Sequence, residues 1–203
     1  MENTTNSITL RGTLENLPEY SHENHGCRFY RFYLLVPRLS GTVDRLPIVA
    51  SDTVLNGFDL SGGNMLTVKG QIRSHNQRSG GTRHLLIFVF ASSVDCEDGP
   101  PINDVILEGT LCKDPTYRRT PLGRDICDGM LAIPRPFRRA DYLPCILWGR
   151  TAQEVSACRM RDRLRICGRL QSRNYTKLTE GGPETRTAYE ISALTAEILE
   201  ENQ

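Results

Sequence analysis

Four aromatic residues in the C-terminal half of this chain, Phe137, Tyr142, Trp148 and Tyr175, stand among six arginines, Arg135, Arg138, Arg139, Arg150, Arg169 and Arg173. Rings interleaved with guanidinium groups suit unpaired nucleic acid. Every base offers a π-face to a ring, and every nucleotide carries a phosphate that an arginine neutralises. Stacking of this kind is worth about 1–3 kcal/mol per base and needs no particular sequence. Phe137, between Pro136 and Arg138-Arg139, and Tyr175, among Asn, Thr and Lys, are poorly placed for a core. Trp148 closes the apolar run Cys145-Ile146-Leu147 and reads equally well as a packed residue.

Charge supports the same chemistry. The 203 residues carry a net charge of only +1, but between positions 118 and 173 thirteen arginines face five acids, a local excess of +8. A concentrated positive field attracts polyanions.

Catalytic signatures are missing. The chain has no G-x-x-x-x-G-K-[ST], G-x-S-x-G or H-E-x-x-H, so neither an enzyme nor a bound cofactor is expected. All four histidines lie in the N-terminal half. The best metal-ligand spacing there, His22-x-x-His25-x-Cys27, lacks a nearby fourth ligand and fits no common zinc module. Seven cysteines without a C-x-x-C pair read as reduced thiols, several of them small core hydrophobes. No apolar run approaches the ~20 residues of a membrane helix. The polar start MENTTNS has no signal-peptide pattern, so a cytoplasmic, nucleoid-associated location is expected, with no membrane or small-molecule partner.

The elements that hold these side chains occur twice. ITLRGTL at 8–14 returns as VILEGTL at 105–111, YLLVPR at 33–38 as MLAIPR at 130–135, and LTVKGQIRSHN at 66–76 as LRICGRLQSRN at 164–174. Gly109 follows Gly12, and Pro134 follows Pro37, by 97 positions; Gly168 follows Gly70 by 98. Ordered matches at one spacing mean two copies of one domain. Each copy reads as five short strands, near 7–14, 28–39, 45–51, 64–75 and 83–94, then near 104–112, 124–133, 141–148, 162–175 and 185–195. A short helix separates the third and fourth strands, at 52–58 and at 151–158. In the second, Thr151 is placed to cap, and Ala152, Val155 and Cys158 share one face. That order predicts an all-β protein of two tandem OB-folds, each a five-stranded Greek-key barrel. Domain 1 spans 1–95, a Gly-Pro-Pro linker 96–103, and domain 2 104–199; the acidic tail from Glu197 is expected to fray.

The first copy lacks the aromatic set. Its slots for Phe137, Tyr142, Trp148 and Tyr175 hold Ser40 or a neighbour, Arg45, Ser51 and Gln77. Its own aromatics crowd one strand, where alternation sends Phe29 and Tyr33 to one face and Tyr30 and Phe32 to the other. This copy therefore reads as a structural or assembly barrel, with weak phosphate contact from Arg73, Arg78 and Arg83.

The second copy also carries NDVILEGTL at 103–111, Asp114-Pro115, RTPLG at 119–123, LAIPR at 131–135, LWGRTA at 147–152 and LRICGRLQSR at 164–173. On these residues it resembles the bacterial single-stranded DNA-binding proteins; the first copy is similar in its strand framework alone. The resemblance implies sequence-independent binding of single-stranded DNA in replication, repair and recombination. It also implies stacking rings at the positions of Phe137, Tyr142, Trp148 and Tyr175. Because the family works as assemblies of four OB-folds, it further implies a homodimer of this chain. Two features depart from the family: the Gly/Gln-rich linker and the acidic tail with a hydrophobic tip are absent. A specialised relative, from a mobile element or similar to primosomal replication proteins, fits as well. The competing reading is an OB-fold scaffold that binds partners and little or no nucleic acid.

Overall fold

The computed structural model describes residues 5–58, 63–79, 82–179 and 181–200, and the side chains of all of these except 78, 79, 82 and 83. The first half contains β1 (Asn6–Leu14), β2 (Glu19–Asn24), β3 (Cys27–Pro37), β4 (Val43–Ser51), α1 (Asp52–Leu55), β5 (Met65–Ser79) and β6 (Thr82–Asp95). The second contains β7 (Ile102–Leu111), β8 (Thr116–Arg119), β9 (Asp125–Arg135), β10 (Arg139–Trp148), α2 (Gly149–Ser156), β11 (Arg163–Thr179) and β12 (Gly182–Leu199). Leaving β2 aside, β1 pairs with β3 and β5, β3 with β4, β4 in parallel with β6, and β6 with β5, which closes a Greek-key barrel. β7, β9, β10, β12 and β11 repeat this circuit. The expected pair of OB-folds with a helix after the third core strand is therefore the observed fold.

Alternation builds both cores. Ile8, Leu10 and Leu14 point inward from β1, and Val105, Leu107 and Leu111 from β7, each at most 2% exposed. On β3 the alternation divides the aromatics as expected: Phe32 is wholly buried and Tyr30 packs on the core, while Phe29 and Tyr33 lie on the outer face. A bulge falls at Lys69/Gly70 in one barrel and at Cys167/Gly168 in the other. There the chain passes so close to the Phe90 carbonyl, or the Ser192 carbonyl, that a Cβ has no room, which is why glycine recurs at this position.

Several boundaries differ from the sequence expectation. Each half has six strands, not five, because β2 and β8 add short flanking strands on β3 and β9. Every residue of both is exposed, so neither carries a hydrophobic period. β7 begins at Ile102, inside the segment read as linker. Glu197, Ile198 and Leu199, expected to fray, pair with Arg165, Leu164 and Arg163 in β11; residues 201–203 lie outside the described ones. The second helix starts at Gly149, with Trp148 rather than Thr151 at the N-cap and no side-chain cap bond. Ala152, Val155 and Cys158 are buried as expected. The first helix is a single turn capped by the Ser51 hydroxyl. Among the described residues no helix is long and apolar enough to cross a membrane, and all seven cysteines are free thiols.

The two barrels share one 12-stranded sheet through antiparallel pairing of β1 with β7. Ile8 pairs with its own repeat counterpart, Val105, while Asn6 pairs with Leu107 and Leu10 with Asn103. The register is thus symmetric about an approximate two-fold axis between Ile8 and Val105. Asn6 exchanges two hydrogen bonds with the backbone of Ile72, and its counterpart Asn103 does the same with Leu170. Such paired bonds satisfy backbone groups just beyond the points where the β1–β5 ladder ends, at Ile8 and Gly70, and the β7–β11 ladder ends, at Val105 and Gly168.

Candidate nucleic-acid interface

β10 carries the centre of the site. Asp141, Leu143, Cys145 and Leu147 are buried, so Tyr142, Pro144, Ile146 and Trp148 face outward from the barrel. Trp148 is 41% exposed, which settles its position on the outer face rather than in the core. Tyr142 and Trp148, six residues apart on an extended strand, stand about 20 Å from each other. Phe137 tops the β9–β10 hairpin at 93% exposure. Phe137 and Arg138 hold φ of 61° and 55°, a left-handed conformation unusual for non-glycine residues. That geometry costs about 1–2 kcal/mol per residue and turns an apolar ring into solvent.

Tyr175 lies on the outer face of β11, directly across the ladder from Arg186. The Arg173 guanidinium stands 6.0 Å from its ring centroid, at the edge of cation–π range. Arg169, Gln171, Arg173 and Tyr175 succeed one another at the spacing of a single strand face. A groove of about 910 Å³ runs beside them, floored by Ile126, Met130, Pro144 and Ile146, walled by Trp148, and rimmed by Arg38, Arg118 and Arg173. Two carboxylates interrupt the positive rim. Asp128 is held by Arg118 at 2.7 Å, and Glu190 sits 3.7 Å from Arg173. Burial, reinforced by the nearby Asp128, pushes the Glu190 carboxyl above the ordinary carboxylate range against the pull of Arg173.

The structure separates the expected site residues into groups. Trp148 and Arg173 share the large groove, and Tyr175 opens onto a second one. Phe137, Arg138 and Arg139 form the hairpin tip; both arginines are exposed and neither makes an ion pair among the described residues. Arg150 is 89% exposed at the start of α2, bound to Glu154 at 2.8 Å, and Arg169 is half-buried; neither lines either of these two grooves. Arg135 is committed elsewhere. It bonds the fully buried Asp141 at the barrel junction, 3.3 Å away. Arg73, expected to touch phosphate weakly, is bound to the same carboxylate at 3.0 Å. The side chains of Arg78 and Arg83 lie outside the described residues.

The first barrel's slots are filled by structural work. Arg45, in the position of Tyr142, lies over the Tyr33 ring at 3.3 Å and holds Glu15 at 2.7 Å. Ser51, in the position of Trp148, caps α1. Phe29 is covered by His22, stacked at 4.9 Å with the planes 12° apart. Among the described residues no group of three His, Cys, Asp or Glu side chains could hold a metal ion. Sequence reasoning missed Arg38, Arg118, Pro144 and Arg186 as groove residues. Arg118 stood in the counted arginine run, but its strand had no hydrophobic period to place it; Arg38 joins the site through the packing of one barrel on the other, whereas Pro144 and Arg186 stand on the second barrel's own strands.

The fold is of the paired OB-barrel class, with an aromatic, arginine-rimmed outer face. The sequence model described as the single-strand binding protein family matches residues 102–199. Single-stranded DNA-binding protein 1 of Lactococcus lactis is 33% identical over 109 residues, which cover 50% of this chain and 71% of that protein. Single-stranded DNA-binding protein 3 of Listeria innocua is 36% identical over 110 residues, 50% of this chain and 66% of that one. Single-stranded DNA-binding protein 1 of Staphylococcus aureus is 41% identical over 81 residues, 36% of this chain and 48% of that one. The match thus spans about half to two thirds of the length of these relatives. The crystal structure of the single-stranded DNA-binding protein from Thermus aquaticus matches the fold at a TM-score of 0.80 and 23% identity, covering 98% of this chain and 94% of that one. The chain belongs to the single-strand binding protein family.

Proposed function

We infer that this protein binds single-stranded DNA without sequence preference, through its second barrel, in replication, repair or recombination. Bases stack on Phe137, Tyr142, Trp148 and Tyr175. Arg138, Arg139, Arg150, Arg169 and Arg173 neutralise phosphates, joined by Arg118 from the groove rim. The first barrel serves assembly, and two chains pair to bring four barrels together. The observation that carries this reading is the outward row of Tyr142, Pro144, Ile146 and Trp148 on β10, exposed rings on a strand whose alternate residues are buried. Rings left partly open outside the core in this way resemble the stacking platform of single-strand binders.

Trp148 is the only tryptophan, so its fluorescence reports the site directly. Oligo-dT should quench it, with an affinity that falls steeply with salt as counterions are released. Absence of quenching, together with no change in anisotropy of the oligomer, would instead support a scaffold barrel pair.

A further inference from the structure

We propose that the second groove, where the two barrels meet, is a composite nucleotide subsite in which a base on Tyr175 is backed by His84 and Leu86 of the first barrel. This deepens, and rests on, the single-stranded DNA reading above. The groove encloses about 630 Å³, within the ~300–1,000 Å³ typical of clefts for small ligands. Its walls come from both barrels. Gln77, His84 and Leu86 stand on the β5–β6 hairpin, facing Tyr175 and Arg186 of the β11–β12 hairpin.

Symmetry explains why these residues meet. Tyr175 pairs across its hairpin with Arg186, and Gln77, in the slot of Tyr175, pairs across its own hairpin with His84. The two cross-strand pairs approach each other over the approximate two-fold axis, where the Arg186 guanidinium donates to His84 Nδ1 at 3.4 Å. Nε and Nη2 of Arg186 are held by Glu184 at 3.0 and 2.8 Å, so the guanidinium is fixed between Glu184 and His84 where it lines the groove. A ring on one wall, an aliphatic side chain on the other and a fixed cationic edge between them suit a flat base with its phosphate.

Continuity supplies the occupant. Pro144 lines this groove and the Trp148 groove alike, so a strand leaving Trp148 along the outer face of β10 runs into Tyr175. Leu86 is 43% exposed and Tyr175 38%, an apolar pair left open inside a concavity at the end of that path. The first barrel, which lacks stacking rings in its own slots, thereby contributes a wall to the second barrel's site.

Two variants test the subsite in the intact chain. Leu86→Glu places a negative charge on the wall at an exposed position, and His84→Ala removes the surface backing Tyr175. Each should weaken binding of a dT oligomer about tenfold, the scale of one stacking contact. Each should also suppress photocross-linking of 5-iodouracil-substituted oligomer to the peptide bearing Tyr175, while cross-links to Phe137 persist. Wild-type affinity and an unchanged Tyr175 cross-link in both variants, with binding still weakened by Phe137→Ala, would remove the subsite and leave the DNA reading standing. Failure of the wild-type chain to bind the oligomer at all would remove both. If the oligomer binds but Leu86→Glu changes only the native mass, the groove is an interface between copies and the proposal fails.

Discussion

Asp44 and Asp141 are repeat counterparts, and each is a buried carboxylate clasping the opposite barrel. Asp44 accepts from Arg38 of its own barrel at 2.6 and 2.8 Å and from the Ser172 amide of the other at 2.7 Å. Asp141 accepts from its own Arg135 at 3.3 Å, and across the junction from the Ser74 amide at 2.8 Å and Arg73 at 3.0 Å. The Ser74 hydroxyl in turn accepts from the Tyr142 amide, and that of Ser172 from the Arg45 amide. The clasp therefore fixes the barrels relative to each other and anchors the backbone that carries Tyr142.

Removing Asp141 should be the costlier of the two changes, because it strands two guanidinium groups and an amide. Asp141→Ala is expected to cost about 3 kcal/mol, at the lower end for broken buried pairs because both arginines keep some contact with water. A chain of this size loses about 2–4 °C of melting temperature per kcal/mol, so calorimetry should register roughly 6–12 °C. Asp44→Ala should fall by less.

Phe137→Gly separates binding from stability. The ring is almost wholly exposed and its backbone is left-handed, so glycine relieves strain and removes no packing. Thermal stability should not drop, while affinity for oligo-dT falls by about 1–3 kcal/mol in a fluorescence titration. Tyr175→Ala should show the same loss of affinity.

Arg138 and Arg139 are exposed, make no ion pair among the described residues, and are phosphate contacts in the proposed function. Replacing both by Ala should lower the slope of log affinity against log salt by about 1.4, the increment for two contacts on a single strand. The same titration on Arg135→Ala should leave the slope nearly unchanged, since that guanidinium serves Asp141.

Glu190 lines the large groove, so in the proposed function its charge should oppose binding. Its carboxyl is raised above the ordinary value, so the folded protein binds this proton more readily than the unfolded chain does. The stability it contributes is present at low pH and is lost as pH rises through the raised value. Glu190→Gln should therefore be more stable than the wild type at neutral pH, with the gap closing as pH falls into the ordinary carboxylate range. It should also bind oligo-dT more tightly at neutral pH, and wild-type affinity should approach it in mild acid.

Gly168→Ala tests the bulge. Its Cβ would collide with the Ser192 carbonyl, a backbone atom that cannot swing aside. A destabilisation of about 1–3 kcal/mol by chemical denaturation is expected, with Gly70→Ala similar.

The barrels were legible in the chain wherever hydrophobic alternation set the outcome. The repeat offset, the Greek-key order and the division of Phe29 from Phe32 all follow from period-2 burial. β2 and β8 were not legible, because Glu19 to Asn24 and Thr116 to Arg119 bury nothing and pair only by backbone bonds. The clasp was hidden for another reason. Asp44 and Asp141 look like ordinary polar residues at strand starts, and only contacts from more than 60 residues away reveal them as buried. Arg135 belongs with them: a basic residue near an aromatic hairpin reads as solvent-facing until its neighbour Asp141 is seen to be buried. The rings of Phe137 and Tyr175 were readable because their polar neighbours left no core to enter, whereas Trp148 needed the observed pleat.

Joining both copies in one polypeptide frees each from doing its sibling's job. When a protein self-associates from identical subunits, any substitution at the shared contact is inherited on both sides at once. Here Asp141 has recruited Arg73, while the matching place beside Asp44 holds Gln171, and neither choice obliges the other. The join across Ile8 and Val105 thus lets the two lobes diverge, without a hybrid partner ever having to be sorted from a pool of equals.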